Sequence, residues 1–163
     1  MLKKIKTTGA KKTKGRFAII ASKYNARYVD AMLNAATAML TRAGAKEVKI
    51  VRVPGAFEIP VVVARLTETV NAPDAIICLG VILRGATTHA QVVSEVVSQQ
   101  LGEIAVRKQV PIIHEVLLLE NEQQARERCL SKTHNRGAEA AATALEMVAL
   151  MARLPRWEDD VPF

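Results

Sequence analysis

The run Asp74-Ala-Ile-Ile-Cys-Leu-Gly80 narrows the possible folds more than any other part of the chain. It is short, apolar and bounded by a turn signal. A strand with one wet face alternates apolar and polar residues, whereas one without alternation is covered on both faces. Such strands belong to parallel sheets held between helices. The next residues agree: Leu79–His89, LGVILRGATTH, reads as a strand end, a glycine-containing turn and a helix start. Arg84, Gly85 and Ala86 make a small-residue bend where a ligand can approach backbone. Thr88 and Gln91 have the spacing of a capping box. That places a helix N-terminus, with its free N–H groups and positive dipole end, at the loop. An anion fits there, beside Arg84, Thr87 and Thr88. His89, in the first turn, is placed to move protons.

The same unit recurs along the chain. Phe17–Ala21 is a first core strand, Ser22–Asn25 its loop, and Asn25 a candidate cap. Ala26–Ala43 carries Val29, Met32, Leu33, Ala36 and Leu40 at helical spacing, with Gly44 as the stop. Val48–Val53 alternates as a second strand. Pro54-Gly55-Ala56 turns into a helix from Phe57 to about Thr69, with Pro60 in its first turn. The helix after the third strand runs from His89 to about Lys108. Val110–Leu119 is the fourth strand, with Pro111 tolerated at its start. Asn121 and Gln124 again match a capping box, opening a short helix, Glu122–Cys129. Ser131–Gly137 is a polar loop, and Gly137–Leu154 a long Ala-rich helix.

Four strand–helix alternations predict an α/β fold, a doubly wound parallel sheet with helices on both faces. Ligands of such sheets sit beyond the carboxyl ends of the strands. Tyr24-Asn25, Pro54–Glu58 and Leu83–His89 all follow strands at that edge.

Charge divides the chain into an arm, a body and a tail. Residues 1–16 hold Lys3, Lys4, Lys6, Lys11, Lys12, Lys14 and Arg16 and no acid. They account for the whole net charge of +7 and leave the body near neutral. No aromatic residue interleaves these basics, so residues 1–15 read as a solubilising arm, and no nucleic-acid partner is expected. Residues 16–154 form one domain, and 155–163 an acidic tail. Cys78 and Cys129 read as small core hydrophobes, which fits a reducing cytoplasm. No signal-peptide pattern or membrane-spanning run is present. His89, His114 and His134 lack zinc-type spacing, and neither cysteine sits in a CxxC pair, so no metal is expected.

SKYN, VPGAFEIP, LGVILRGATTH, EQQARERC and HNRGAEAAATALEM together resemble the lumazine synthase family, in its order and with its spacing. The resemblance covers roughly residues 16–152. It implies a three-layer αβα sandwich with a four-stranded parallel, flavodoxin-like sheet, and an N-terminal segment able to add to a neighbouring subunit's sheet. It also implies a transferase of riboflavin biosynthesis. The reaction joins 5-amino-6-(D-ribitylamino)uracil to 3,4-dihydroxy-2-butanone 4-phosphate through an imine, with release of phosphate and water. No cofactor takes part. The family forms homopentamers, and some members assemble twelve pentamers into a shell.

Residue by residue, the resemblance assigns Tyr24 to stacking on the pyrimidine, with Asn25 in support. Gly55, Ala56 and Glu58 match the PGAFE loop, Glu58 binding ribityl hydroxyls. Val81, Ile82 and Leu83 line the ring pocket through backbone. Ala86 and Thr87 match the phosphate loop. His89 matches the proton-transfer histidine and Arg128 the phosphate-binding arginine of a neighbouring subunit. Some positions depart from the family's pattern. His114 stands for the phenylalanine that closes the ring pocket, and Arg136 for a lysine. Glu115 stands for a glycine, Leu118-Leu119 for a threonine pair, and Gln91 for an aspartate. Two other readings follow from the residues: a lumazine- or flavin-binding shell with weakened catalysis, and an anion-binding assembly whose arm gathers nucleic acid.

Overall fold

A computed structural model describes residues 14–154. The basic arm up to residue 13, the proposed addition of that segment to a neighbour's sheet, and the tail 155–163 lie outside the described residues. The elements are β1 (Arg16–Ser22), α1 (Ala26–Arg42), β2 (Glu47–Val53), α2 (Ile59–Thr67), β3 (Ala75–Leu83), α3 (His89–Lys108), β4 (Ile112–Leu119), α4 (Glu122–Ala125) and α5 (Arg136–Met151). A 3-10 turn, Ala56–Glu58, precedes α2, and a π-turn, Arg126–Leu130, follows α4.

All strand pairs are parallel, in the order β2-β1-β3-β4. Successive residues of β1 and β3 serve opposite layers. Phe17, Ile19, Ala21, Ile77 and Leu79 pack with Val29, Met32, Leu40, Ala141 and Ala144 of α1 and α5. Ala18, Ile20, Ile76 and Cys78 pack with Ile59 and Val63 of α2 and Val97 and Leu101 of α3. The expected three-layer sandwich is therefore present, and the unbroken apolar run of β3 reflects burial on both faces. The chain leaves β1 towards β2 on one side and returns through β3 to β4 on the other. Right-handed crossovers then require α1 on one face and α2 and α3 on the opposite one.

Several local expectations need correction. Residues 57–69 do not form one helix: residues 56–58 are a 3-10 turn and α2 covers only Ile59–Thr67, with Pro60 in its first turn as expected. The short helix expected over 122–129 is α4 followed by the π-turn. α5 starts one residue earlier than expected and ends at Met151. Asn25 does not cap α1 with its side chain. It adopts a left-handed conformation (φ 55°), which asparagine tolerates, and its amide reaches elsewhere. Thr88 makes no capping hydrogen bond either. Gln91 instead accepts from Arg84 and donates to Glu95.

Other signals held. Gly44 (φ 82°) ends α1, with the Ala45 N–H donating to the Leu40 carbonyl and Gly44 N–H to that of Thr41. Asn121 Oδ1 accepts from the Gln124 N–H, while the Gln124 side chain reaches back to Glu120 N–H. Cys78 and Cys129 are buried and unpaired. Burial pushes both thiol pKa values up, that of Cys129 to about 11.

Candidate active site

The loops at the carboxyl edge are tied together by their backbones. Lys23 N–H donates to the carbonyls of Val53 and Pro54, and Tyr24 N–H to that of Pro54. These bonds fasten the loop after β1 to the loop after β2. Asn25 Nδ2 donates to the Val81 carbonyl at 2.7 Å, fastening the first loop to β3. The switch point between β1 and β3 is thus closed by one side chain.

Tyr24 stands over Gly55 and is 71% exposed. A Cβ at Gly55 would lie 3.1 Å from the Tyr24 ring and 2.9 Å from Glu58 Oε2. Gly55 therefore supplies the space that lets ring and carboxylate close over the turn. Glu58 Oε2 accepts from Gly55 N–H at 2.7 Å, and its Oε1 has no partner among the described residues. Ala56 is buried beneath this turn, with Phe57 exposed beside it.

β3 outruns β1. Pairing with β1 ends at Ala21–Leu79, whereas pairing with β4 continues to Leu83–Leu119. The stretch Val81–Leu83 therefore presents a strand edge with no β1 partner, and Asn25 takes one of its carbonyls. The remaining backbone groups can be satisfied by a planar heterocycle with ring N–H and C=O groups. Val81, Ile82 and Leu83, expected to act through their backbone, lie on this edge.

Ala86, Thr87 and His89 are exposed in the following loop and first turn of α3. Thr87 Oγ1 accepts from His89 N–H at 3.4 Å. Arg84, which the sequence placed beside an anion, is committed elsewhere. Its Nε donates to Glu120 at 2.9 Å and its Nη2 to Gln91 at 3.0 Å.

The remaining site residues are not joined to this group within one chain. His114 lies mid-way along β4, opposite Cys78, with Nε2 2.8 Å from Ser98 Oγ on α3. Burial lowers its pKa. Arg128 is exposed in the π-turn and has no ion pair among the described residues. Arg136 opens α5 and is held by Glu115 through two bonds, Nε to Oε2 at 3.0 Å and Nη2 to Oε1 at 2.9 Å. Its Nη1 donates to Glu139. Desolvation pushes the Glu115 pKa up, and Arg136 opposes it. Glu115 was noted in the sequence as a departure and not as a partner. β4 carries it on the α5 face, and the strand's period of two is the only signal that could have placed it opposite Arg136. His134 is exposed in its loop, as expected. No group of three His, Cys, Asp or Glu among the described residues could hold a metal ion.

Residues 14–152 match the family model described as 6,7-dimethyl-8-ribityllumazine synthase. The chain belongs to that family. A curated relative, the 6,7-dimethyl-8-ribityllumazine synthase of Halorhodospira halophila (strain DSM 244 / SL1), is 40% identical over 141 residues. The alignment covers 85% of this chain and 90% of the relative. The match spans every described element and all the residues placed above. No helix among the described residues is long and apolar enough to cross a membrane.

Proposed function

We propose that this chain is a riboflavin-biosynthesis transferase. It condenses 5-amino-6-(D-ribitylamino)uracil with 3,4-dihydroxy-2-butanone 4-phosphate to 6,7-dimethyl-8-ribityllumazine, releasing phosphate and water. Family membership supports the reaction. The observation that carries the site is the open edge of Val81–Leu83, bounded by Tyr24, Gly55 and Glu58 and leading into the His89 helix start.

Tyr24 serves as the stacking platform for the pyrimidine, and Asn25 fixes the loop that carries it. Ala56 and Gly55 form the floor, and Glu58 Oε1 accepts from ribityl hydroxyls. Ala86, Thr87 and the first N–H groups of α3 receive the phosphate. His89 transfers protons during imine formation and ring closure, a task suited to an imidazole, whose two ring nitrogens can accept and donate. A neighbouring subunit supplies His114, Arg128 and Arg136. No metal or redox cofactor is part of the proposed reaction, which gains much of its rate from holding two reactants together.

A composite site requires an oligomer, and the surface supports one. Phe57 and Val61 are 58% and 68% exposed beside Val96, along a groove between α2 and α3. A monomer would leave this apolar stripe in water. The proposed minimum unit is a homopentamer closed by heterologous contacts. The absence of an insertion in loop 131–137 favours assembly of twelve pentamers into a shell. Two buried, unpaired cysteines fit the cytoplasm as the compartment. The binding-shell reading is not favoured: its departures, His114, Glu115 and Gln91, have partners in Ser98, Arg136 and Arg84.

Turnover of the two substrates, followed by lumazine absorbance with the unaided rate subtracted, tests the reading. His89→Ala is expected to lower the rate about 10²–10⁴-fold. A rate no better than background, in an assembled protein that still binds product, would overturn it.

A further inference from the structure

Glu115 is the one buried charged side chain among the described residues, 7% exposed. A buried carboxylate needs a partner with matching geometry, and the Arg136 fork supplies two parallel N–H bonds. Glu139, one turn along α5, takes a third N–H from Nη1 at 2.7 Å. A guanidinium carries five N–H groups. Three are used, so one on each terminal nitrogen remains, and the side chain is still 31% exposed. Asn135 Nδ2 donates to the Cys129 carbonyl, which ties the turn carrying Arg128 to the start of α5, and the charges of Arg128 and Arg136 both bear on Glu115 and Cys129. One carboxylate therefore sits among two arginines, one clamped and one free of ion pairs among the described residues.

We propose that Glu115 is a positioning residue that fixes the Arg136 guanidinium, so that its two spare N–H groups and Arg128 form a single phosphate-binding pair. The proposal rests on the functional reading above. A long arginine that wandered would have to be ordered each time an anion bound. The clamp orders it when the chain folds. The two substitutions noted in the sequence then become one change. A lysine is a point charge on a flexible stem and reaches a phosphate without a clamp, whereas an arginine presents a planar fork that must be aimed. Glycine at 115 suits the first arrangement, and glutamate the second.

The test is a cycle of Glu115→Gln, Glu115→Gly, Arg136→Lys and the double variant Glu115→Gly/Arg136→Lys, on the assembled full chain. Turnover gives KM for the phosphate ester and for the ribitylaminouracil separately. Stabilisation of the folded protein by inorganic phosphate, read as a rise in Tm, needs no turnover. Glu115→Gln and Glu115→Gly should raise KM for the phosphate ester about tenfold, the scale of one charge-assisted hydrogen bond lost. They should leave KM for the uracil and the saturated rate near those of the parent. The phosphate-induced rise in Tm should shrink in parallel. The double variant should regain both. Unchanged ester KM and an unchanged phosphate effect in Glu115→Gln would overturn the proposal. So would a double variant that folds yet remains as phosphate-insensitive as Glu115→Gly. Loss of affinity for both substrates alike would assign Glu115 a structural role only. A parent protein without turnover would overturn the functional reading, while the phosphate comparison would still decide the clamp.

Discussion

Asn25 and Val81 are joined by a 2.7 Å hydrogen bond from side-chain amide to backbone carbonyl, across the point where the strand order reverses. Asn25 also holds a left-handed backbone conformation. Two substitutions separate these contributions. Asn25→Gly should cost only the hydrogen bond, about 1 kcal/mol. Asn25→Ala should cost about 2 kcal/mol, because alanine adds the left-handed penalty. Denaturant unfolding checks the order, and equal losses would show that the backbone conformation is unstrained. Both variants should raise KM for the ribitylaminouracil by freeing the loop that carries Tyr24.

Gly137 marks the tightest contact between α1 and α5. A Cβ there would lie 2.0 Å from the Met32 carbonyl oxygen, which is backbone and cannot rotate aside. Gly137→Ala should destabilise the fold by about 3 kcal/mol, at the upper end of overpacking costs. Gly102, whose added Cβ would meet nothing within 4 Å, is the control. Gly102→Ala, within α3, should stabilise by up to about 1 kcal/mol. Thermal melts of the two variants should move in opposite directions.

His114 gives the fold an acid limit. Its burial lowers the folded-state pKa below the ordinary 6.5. The unfolded chain therefore takes up the proton first as pH falls. The contribution to stability is fully present above the ordinary value and is lost as pH drops through the folded one. Unfolding free energies at about pH 7.5 and about pH 5 should differ by more in the parent than in His114→Gln. An equal pH slope in both would place the acid sensitivity in another residue.

Arg128 is exposed and free of ion pairs among the described residues, so its removal tests function without disturbing the core. Arg128→Ala should change stability by less than about 0.5 kcal/mol. It should raise KM for the phosphate ester about 10–100-fold, as expected for lost bonds to a charged group. KM for the ribitylaminouracil should hold. A uniform loss for both substrates would place Arg128 in assembly instead.

The groove between α2 and α3 predicts the response of the oligomer. Val61 is 68% exposed on it. Val61→Lys should shift the assembly to smaller species in light scattering at micromolar concentration, and turnover should fall with it. A parent protein that is itself monomeric or dimeric would refute both the assembly and the shared site.

The sequence by itself determined the layers. The unbroken run of β3 required cover on both faces, helical spacing over α1 supplied it on one of them, and Gly44 stopped the helix where a left-handed residue was needed. These features are local, and hydrophobic period and backbone sterics set them wherever the chain lies. The loops of the carboxyl edge were legible for the same reason, since each directly follows a strand. Tertiary structure decided which partner each polar side chain took. Asn25 and Thr88 read as caps. Yet Asn25 bonds a carbonyl 56 residues away, Thr88 makes no capping bond, and Arg84, which the sequence placed beside an anion, pairs with Glu120 and Gln91. Glu115 and Arg136, 21 residues apart, meet only because β4 and α5 pack face to face. A polar group pairs with whatever the fold brings within about 3 Å, and sequence spacing does not encode that distance.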